Sequence, residues 1–250
     1  MYQNVVALRS DTHHETCVRT GTSFHFAARL NSVPLLATEF GDAAAEFPIV
    51  FVEEKDTVTP VAVTGLREGE NAFVDELGNW TGRYVPAFLR RYPFVGVQGS
   101  EDTMTLCLDA DFEGVNTEGR GERLFDADGN RTDYLTRMLG FASEFQRHAA
   151  RTQAFCDRLK RLDLLEPAQA RVAPAGQPER AVTGFRAIRR ERLRALADDD
   201  LRDMLQGGEL EWCFQHLVSL GTIGRLIRSA PDPDAEARTR SRTEDAEPTA

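Results

Sequence analysis

Lysine is almost absent from this chain, and so are the short motifs that usually identify an enzyme. Lys55 and Lys160 are the only lysines among the 30 basic residues, so the other 28 are arginines. We attribute this arginine excess to genome composition and not to a binding function. The sequence contains no HExxH, GxSxG or Walker A motif and no GxGxxG after a predicted strand, so no common catalytic motif supports an enzyme class.

Cysteine pairs and long apolar runs are missing as well. The cysteines lie far apart and without CxxC or zinc-knuckle spacing, at Cys17, Cys107, Cys156 and Cys213. Reduced, buried thiols in a cytoplasmic protein are the state we expect. No apolar run approaches the about 20 residues of a membrane-spanning helix. The N-terminus, MYQNVVALRSD, lacks a basic segment followed by a long apolar one. We therefore expect a cytoplasmic protein without a membrane span or a secretory signal.

The composition is that of a globular protein with an acidic balance. The 250 residues are 41% hydrophobic and 28% charged, and the net charge is -10. A chain of this length and composition can build a sizeable core without disulfides or metals. The acidic balance argues against a general nucleic-acid binder, because phosphate binding needs a basic face. The oligomeric state stays open.

Short apolar segments separated by turn signals dominate the first 110 residues. We predict strands at 4–8, 23–28, 49–52, 60–65, 72–74, 94–97 and 103–109, and a helix at 35–45. Most of these segments are joined by short turns, which favours a largely antiparallel sheet or a half-barrel.

Helical periodicity replaces this pattern beyond residue 132. Apolar positions recur at steps of three and four, at Leu135, Met138, Ala142, Phe145, Ala149, Thr152, Cys156 and Leu159. They predict one helix that ends near Leu162. A strand at 181–188 and helices at 189–196, 201–206 and 209–227 follow. The sequence thus predicts an α+β fold with an N-terminal, mostly antiparallel sheet or half-barrel of short strands, one long central helix, and a C-terminal strand and helices.

The domain organisation follows from composition. Residues 167–178 are rich in Ala, Pro and Gly, which is typical of a linker or surface loop. Residues 229–250 are rich in Pro and charge and contain no aliphatic residue beyond alanine, which is typical of disorder. We predict one domain over residues 1–228, with a subdivision near 167–180 left open, and a disordered tail at 229–250.

The segment 126–130, DADGN, resembles the start of a calcium-binding loop. An EF-hand loop needs Gly at position 6 and a bidentate Glu at position 12. Here Gly129 falls at position 4 and Arg137 at position 12. The segment therefore predicts a turn that leads into the long helix.

The stretch from residue 68 to residue 94 carries the first candidate site. Guanidinium groups bind planar anions and stack on aromatic rings. The four residues that would bind a ligand or partner in this way are Trp80, Tyr84, Arg90 and Arg91. The alternative is a structural cluster in which arginine stems cover aromatic faces.

Both alternatives predict the same local geometry. The turn at 75–79 returns the chain, and a short helix that starts near Pro86 carries both arginines. We expect the four residues and Tyr92 to form one cluster with Trp80 buried at its centre. Successive positions on a helix diverge by about 100°. One arginine should therefore pack on an aromatic ring or pair with an acid, and the other should reach solvent or a ligand.

The second candidate is a metal site near the N-terminus. Its ligands would be His13, His14, His25 and Glu39. Imidazoles and a carboxylate bind Zn or Fe(II) if the first two predicted strands bring them together. The alternative is that these histidines lie on the surface, since metal-binding motifs show tighter spacing.

Seven segments occur in a characteristic order along the chain: PLLATEF (34–40), FPIVF (47–51), GLREGENAFVDELGNW (65–80), YVPAFLRRYPF (84–94), LFDADGNRTDYL (124–135), GFRAIRRERLRALADDDL (184–201) and LVSLGTIGRLI (217–227). Together they resemble the SapC family, which is named after a bacterial surface-array protein. The resemblance covers about residues 3–228. Members are often encoded near outer-membrane receptors, tryptophan-halogenase-like flavoproteins and cupin-like proteins. The resemblance therefore implies a bacterial envelope or nutrient-uptake system.

Two functions from different classes follow. The first is a non-catalytic binding or accessory protein of such a system that recognises a peptide or protein partner. The second is a metal-dependent enzyme that uses the N-terminal histidines. The sequence identifies no cofactor.

Overall fold

The computed structural model describes residues 1–19, 21, 23–99, 104–172, 180–224 and 226. The strands in this part of the chain are β1 (Val5–Ala7), β2 (Cys17–Val18), β3 (Ser32–Pro34), β4 (Ile49–Glu54), β5 (Thr57–Val63), β6 (Phe94–Gln98), β7 (Met104–Asp109), β8 (Val115–Asn116), β9 (Glu122–Arg123), β10 (Leu165–Val172) and β11 (Arg180–Ile188). The α-helices are α1 (Ser10–His13), α2 (Phe40–Ala43), α3 (Ala87–Arg90), α4 (Asp133–Arg161), α5 (Arg190–Arg194), α6 (Asp198–Gln206) and α7 (Glu209–Ser219). The predicted tail at 229–250 lies outside the described residues.

The largest sheet has five antiparallel strands in the order β10-β11-β4-β5-β3. Its centre is the β4–β5 hairpin, whose register joins Ile49 to Ala62 and Glu54 to Thr57. Ile49, Val50 and Phe51 are all buried. Consecutive residues of a strand point to opposite faces, so both faces of β4 are covered there.

Two smaller sheets complete the β-structure. One has the order β1-β7-β6, and the other has the order β8-β2-β9. The strand pairings described in both sheets are antiparallel. The predicted α+β class, with antiparallel sheets, a long central helix and a C-terminal strand and helices, is confirmed.

Helix α4 connects the two main cores. Its N-cap is Thr132, whose Oγ1 accepts the N–H of Leu135. Leu135 and Ala142 belong to the core that packs against β6 and β7. Phe155 and Leu159 belong to the core of the five-stranded sheet, which also contains Phe40, Phe47, Phe51, Met204, Trp212 and Cys213. One helix therefore contributes to both cores.

Several predicted elements differ from the structure. The strand predicted at 23–28 is a 3-10 turn at His25–Ala27, and the helix predicted at 35–45 is a 3-10 turn at Ala37–Glu39 followed by the short α2. The strand predicted at 72–74 is reduced to a single bridge between Val74 and Trp80. Short apolar segments of this kind pack equally well as turns, so tertiary contacts decide their conformation.

The C-terminal part also differs from its prediction. The linker or loop predicted at 167–178 is strand β10 up to residue 172, paired along its length with β11, and residues 173–179 lie outside the described residues. Pro167 is tolerated because β10 is an edge strand. The helix predicted at 209–227 is α7 followed by a 3-10 turn at Leu220–Thr222.

The four cysteines are buried and free, as the sequence predicts. Burial raises the pKa of the Cys156 and Cys213 thiols to about 12. Among the described residues, no helix combines the length and the apolar character that a bilayer crossing requires.

Candidate ligand-binding site

A tight turn places Trp80 at the start of the candidate site. The Asp75 carboxylate accepts the N–H groups of Leu77 and Asn79 at 3.0 and 2.7 Å. Hydrogen bonds from Asn79 are the main reason that the pKa of Asp75 is lowered. Trp80 follows the turn, is half-buried and donates its Nε1–H to the carbonyl of Tyr84 at 2.9 Å.

Glu39 fixes the position of α3 through hydrogen bonds. Its buried carboxylate accepts the Tyr84 hydroxyl at 2.7 Å, the N–H of Ala87 at 2.7 Å and the N–H of Leu36 at 2.8 Å. Burial, and then the nearby Glu39 carboxylate, raise the pKa of Tyr84 well above its ordinary value. Ala87 and Leu89 are buried, so α3 cannot rotate without losing these contacts.

The two arginines at the end of α3 have different surroundings. Arg90 is exposed and donates a long hydrogen bond of 3.4 Å to the Tyr84 hydroxyl. Its guanidinium carbon lies 5.8 Å from the ring centre of Tyr84 and 5.6 Å from that of Phe141. These are weak contacts at an exposed position.

Arg91 is half-buried between two phenylalanine rings. Its guanidinium carbon lies 4.5 Å from the ring centre of Phe88 and 4.3 Å from that of Phe145, with Tyr2 at 5.6 Å. Desolvation lowers the pKa of Arg91, and the neighbouring Tyr2 opposes this shift. The Nε atom is buried and has no hydrogen-bond partner among the described residues, although the guanidinium group also interacts with the Tyr2 hydroxyl. Within the described part of the chain, no carboxylate lies within ion-pair distance of Arg91.

Arg91 forms part of the wall of an apolar cleft of about 200 Å³ between α3, α4 and the edge of the five-stranded sheet. We call it the Arg91 cleft. Its lining includes Pro34, Leu35, Pro60, Phe88, Phe145 and Ala149. Among the described residues that line it, Arg91 is the one with a charge.

Two of the polar side chains beside Arg91 in this lining, those of Thr152 and Gln153, are already engaged. Thr152 Oγ1 accepts the N–H of Ala37 at 2.9 Å and donates to the carbonyl of His148 at 2.8 Å. The Gln153 amide donates to Asp157 at 2.8 Å. The arrangement therefore offers one positive charge inside an otherwise apolar depression, which suits binding of an anion with an apolar body.

The predicted single cluster is wrong, because the five residues occupy three separate places. Trp80, Tyr84 and Arg90 are linked by hydrogen bonds, whereas Arg91 packs between Phe88 and Phe145. Tyr92 donates to Asp109 at 3.1 Å. Trp80 is half-buried and not fully buried. The expectation that the arginines diverge agrees with the structure, but the solvent-facing one is Arg90.

The four residues of the predicted metal site occupy separate positions. His14 and His25 are exposed, and His13 lies at the end of α1 with its Nδ1 atom 3.2 Å from the backbone of Arg9. Glu39 is buried and engaged with α3 as described. Within the described residues, no three His, Cys, Asp or Glu side chains are arranged to hold a metal ion.

The comparison with protein families decides where this chain belongs. The SapC family model matches residues 8–226 of the 250-residue chain. The chain belongs to the SapC family. Searches of the curated proteins and of the solved structures return no match.

In this SapC protein the Arg91 guanidinium packs between the rings of Phe88 and Phe145. The sequence does not indicate either ring as part of the site. Phe88 stands in the motif YVPAFLRRYPF and was not singled out, although it precedes Arg91 by three positions and therefore shares its side of α3. Phe145 was assigned to the core stripe of α4. It is half-buried, and its ring faces Arg91. That contact joins distant parts of the chain, so only the fold reveals it.

Proposed function

We propose that this SapC protein is a non-catalytic binding protein that recognises a peptide or protein partner through the Arg91 cleft. The observation that carries the proposal is Arg91 itself. Its side chain is half-buried, its Nε–H has no acceptor, and no described carboxylate pairs with it.

Burying part of a guanidinium is unfavourable unless its charge and its donors are satisfied. Phe88 and Phe145 compensate for some of this cost through cation–π contacts, which contribute about 0.5–2 kcal/mol each. They accept no conventional hydrogen bond. An anionic group in the cleft would balance the guanidinium charge, and a charge-assisted hydrogen bond is stronger than a neutral one.

The size of the cleft favours a peptide over a cofactor. Sites for small molecules and cofactors usually enclose about 300–1,000 Å³, and the Arg91 cleft encloses about 200 Å³. Such a volume takes a side chain or a chain end, while the rest of a peptide or protein lies on the surface outside.

Family membership and the state of the thiols support the proposed biological setting. Membership of the SapC family supports a role in a bacterial envelope or nutrient-uptake system. The four free, buried thiols support a cytoplasmic location, since disulfides form in oxidising compartments. In this setting the protein acts as an accessory that binds another component.

A displayed library of random peptides tests the proposed function. The wild type, Arg91→Gln and the matched variant Arg90→Gln are each used to select peptides, after their melting temperatures have been compared. We expect the wild type and Arg90→Gln to enrich the same sequences and Arg91→Gln to enrich none of them. The proposal is wrong if the wild type enriches nothing, or if Arg91→Gln folds and enriches the same sequences.

A further inference from the structure

We infer that the Arg91 cleft recognises the C-terminal residue of a polypeptide, through its free α-carboxylate and an apolar side chain. This inference rests on the proposed function and names the chemistry of its ligand. Three features of the cleft lead to it.

The first feature is the closeness of charge and apolar surface. Arg91 and the apolar side chains line the same cleft of about 200 Å³. A ligand that uses both must carry its carboxylate and its apolar group within one residue. Internal Asp and Glu residues carry a carboxylate but no separate apolar group, whereas an apolar residue at a C-terminus carries both.

The second feature is the absence of free main-chain donors on the wall formed by residues 34–37. The N–H groups of Leu35, Leu36 and Ala37 are bound to the Pro60 carbonyl, Glu39 and Thr152, and Pro34 has no N–H. A peptide cannot add to this wall as an extra strand by accepting hydrogen bonds from it. Recognition must therefore concentrate on the end group that Arg91 binds.

The third feature is the single charge. Arg91 is the one charged residue in the described lining, and a guanidinium matches the planar carboxylate with two parallel hydrogen bonds. A phosphate group carries more negative charge, about -1.5 to -2 near neutral pH. No second cation is present among the described lining residues to balance it.

Two libraries of short random peptides test this inference, one with free C-terminal carboxylates and one with C-terminal amides. Retention on the immobilised wild-type protein is followed by sequencing and by affinity measurement of single peptides. We expect the free-acid library to be retained, with Leu, Ile, Val, Met or Phe enriched at the last position. Amidation of a retained peptide should weaken binding about tenfold or more, the loss expected for one charge-assisted hydrogen bond.

Three variants test whether the peptide binds in the cleft or elsewhere on the surface. Arg91→Gln should abolish binding, and Arg90→Gln should preserve it. Ala149→Leu fills the cleft from α4 and leaves Arg91 unchanged, so it should also abolish binding. If Arg91→Gln does not fold, the loss of binding by Ala149→Leu still tests the cleft.

Each alternative result has a definite meaning. Equal, Arg91-dependent binding of acids and amides would overturn the C-terminal inference and leave the proposed function standing. Retention of neither library would overturn both. Binding of hexanoate or phenylacetate as tightly as the best free-acid peptide would show that a small carboxylic acid is the ligand, and this too would overturn the inference.

Discussion

His216 joins the last helix to the five-stranded sheet. The residue is fully buried, and its Nε2 atom accepts the N–H of Ile188 at 3.0 Å. An acceptor nitrogen carries no proton, so this hydrogen bond requires the neutral ring. Burial lowers the pKa of His216 to about 4, from an ordinary value of 6.5. The contact of α7 with the five-stranded sheet should therefore depend on pH.

The first prediction is a loss of stability in mild acid that depends on His216. The folded-state pKa lies below the unfolded-state value, so the contribution of the neutral ring is complete above about pH 6.5 and is lost as the pH falls towards about 4. Between about pH 7.5 and about pH 4.5 the loss should be about 2–3 kcal/mol. Urea denaturation at the two pH values measures it.

His216→Gln keeps a hydrogen-bond acceptor but does not titrate, so its stability should change less over the same pH interval. His14→Gln is the matched control, because His14 is exposed, and it should follow the wild type. Identical pH profiles for the wild type and His216→Gln would contradict the assignment.

At the scale of single elements, the chain uses the same turn twice. The segments DELGN (75–79) and DADGN (126–130) each bind the Asp carboxylate to two backbone N–H groups and to the Asn side chain. Each turn is closed by one bridge, Val74 to Trp80 and Phe125 to Arg131. The glycines have nearly equal backbone angles, with φ of +80° at Gly78 and +81° at Gly129.

The second prediction compares these two glycines, which have nearly the same φ but different surroundings. A Cβ atom at Gly78 would lie 2.5 Å from Ser23 Oγ and 2.7 Å from His25, whereas at Gly129 the nearest atom is Ser10 Cβ at 3.8 Å. Gly129→Ala should cost about 1–2 kcal/mol for the left-handed backbone alone. Gly78→Ala should cost about 1–3 kcal/mol more for the overlap. Thermal unfolding of both variants measures the difference, and equal losses would mean that Ser23 and His25 move aside freely.

The third prediction concerns the two phenylalanines of α4. Phe155 is fully buried among Phe40, Phe51 and Trp212, whereas Phe145 is half-buried beside Arg91. Phe155→Ala should destabilise the protein by about 3–5 kcal/mol. Phe145→Ala should cost about 1–2 kcal/mol and remove one ring of the Arg91 cleft. Chemical denaturation of both variants tests this order, and a larger loss at Phe145 would contradict it.

These elements also show how far the sequence predicts the structure. The period of α4 is repeated over many turns, so Leu135, Ala142, Cys156 and Leu159 were correctly assigned to its buried side. The pattern does not include Phe155, because this residue lies beside the strict three-and-four spacing. The sequence predicts that Arg90 and Arg91 diverge, because both lie in one short segment, and their different surroundings agree with this. The contact of Arg91 with Phe145 depends on how α3 packs against α4, and no local pattern contains that information.

At the scale of the whole molecule, α4 couples the unfolding of the two cores. Leu135 at one end of the helix is buried in the core of β6 and β7, and Leu159 at the other end is buried in the core of the five-stranded sheet. Isolated helical segments are only marginally stable in water. If one core unfolds, the part of α4 packed in it should therefore unfold as well, and this destabilises the other core.

The fourth prediction is therefore a single unfolding transition. Leu135→Ala and Leu159→Ala should each destabilise the protein by about 2–5 kcal/mol and shift one shared transition to lower temperature. Calorimetry measures it, and the calorimetric and van't Hoff enthalpies should agree. Two separate transitions, each sensitive to only one of the substitutions, would show that the cores unfold independently.

The four buried thiols make the opening of this molecule measurable in its native state. Cys156 and Cys213 lie in the core of the five-stranded sheet, while Cys17 is on β2 and Cys107 is on β7. A thiol reagent attacks only a thiolate that solvent can reach, so each cysteine reacts at the rate at which its own surroundings open. If α4 couples the cores, all four cysteines should share one slow labelling rate. If one region opens alone, its cysteine will react first and identify it, without any introduced probe.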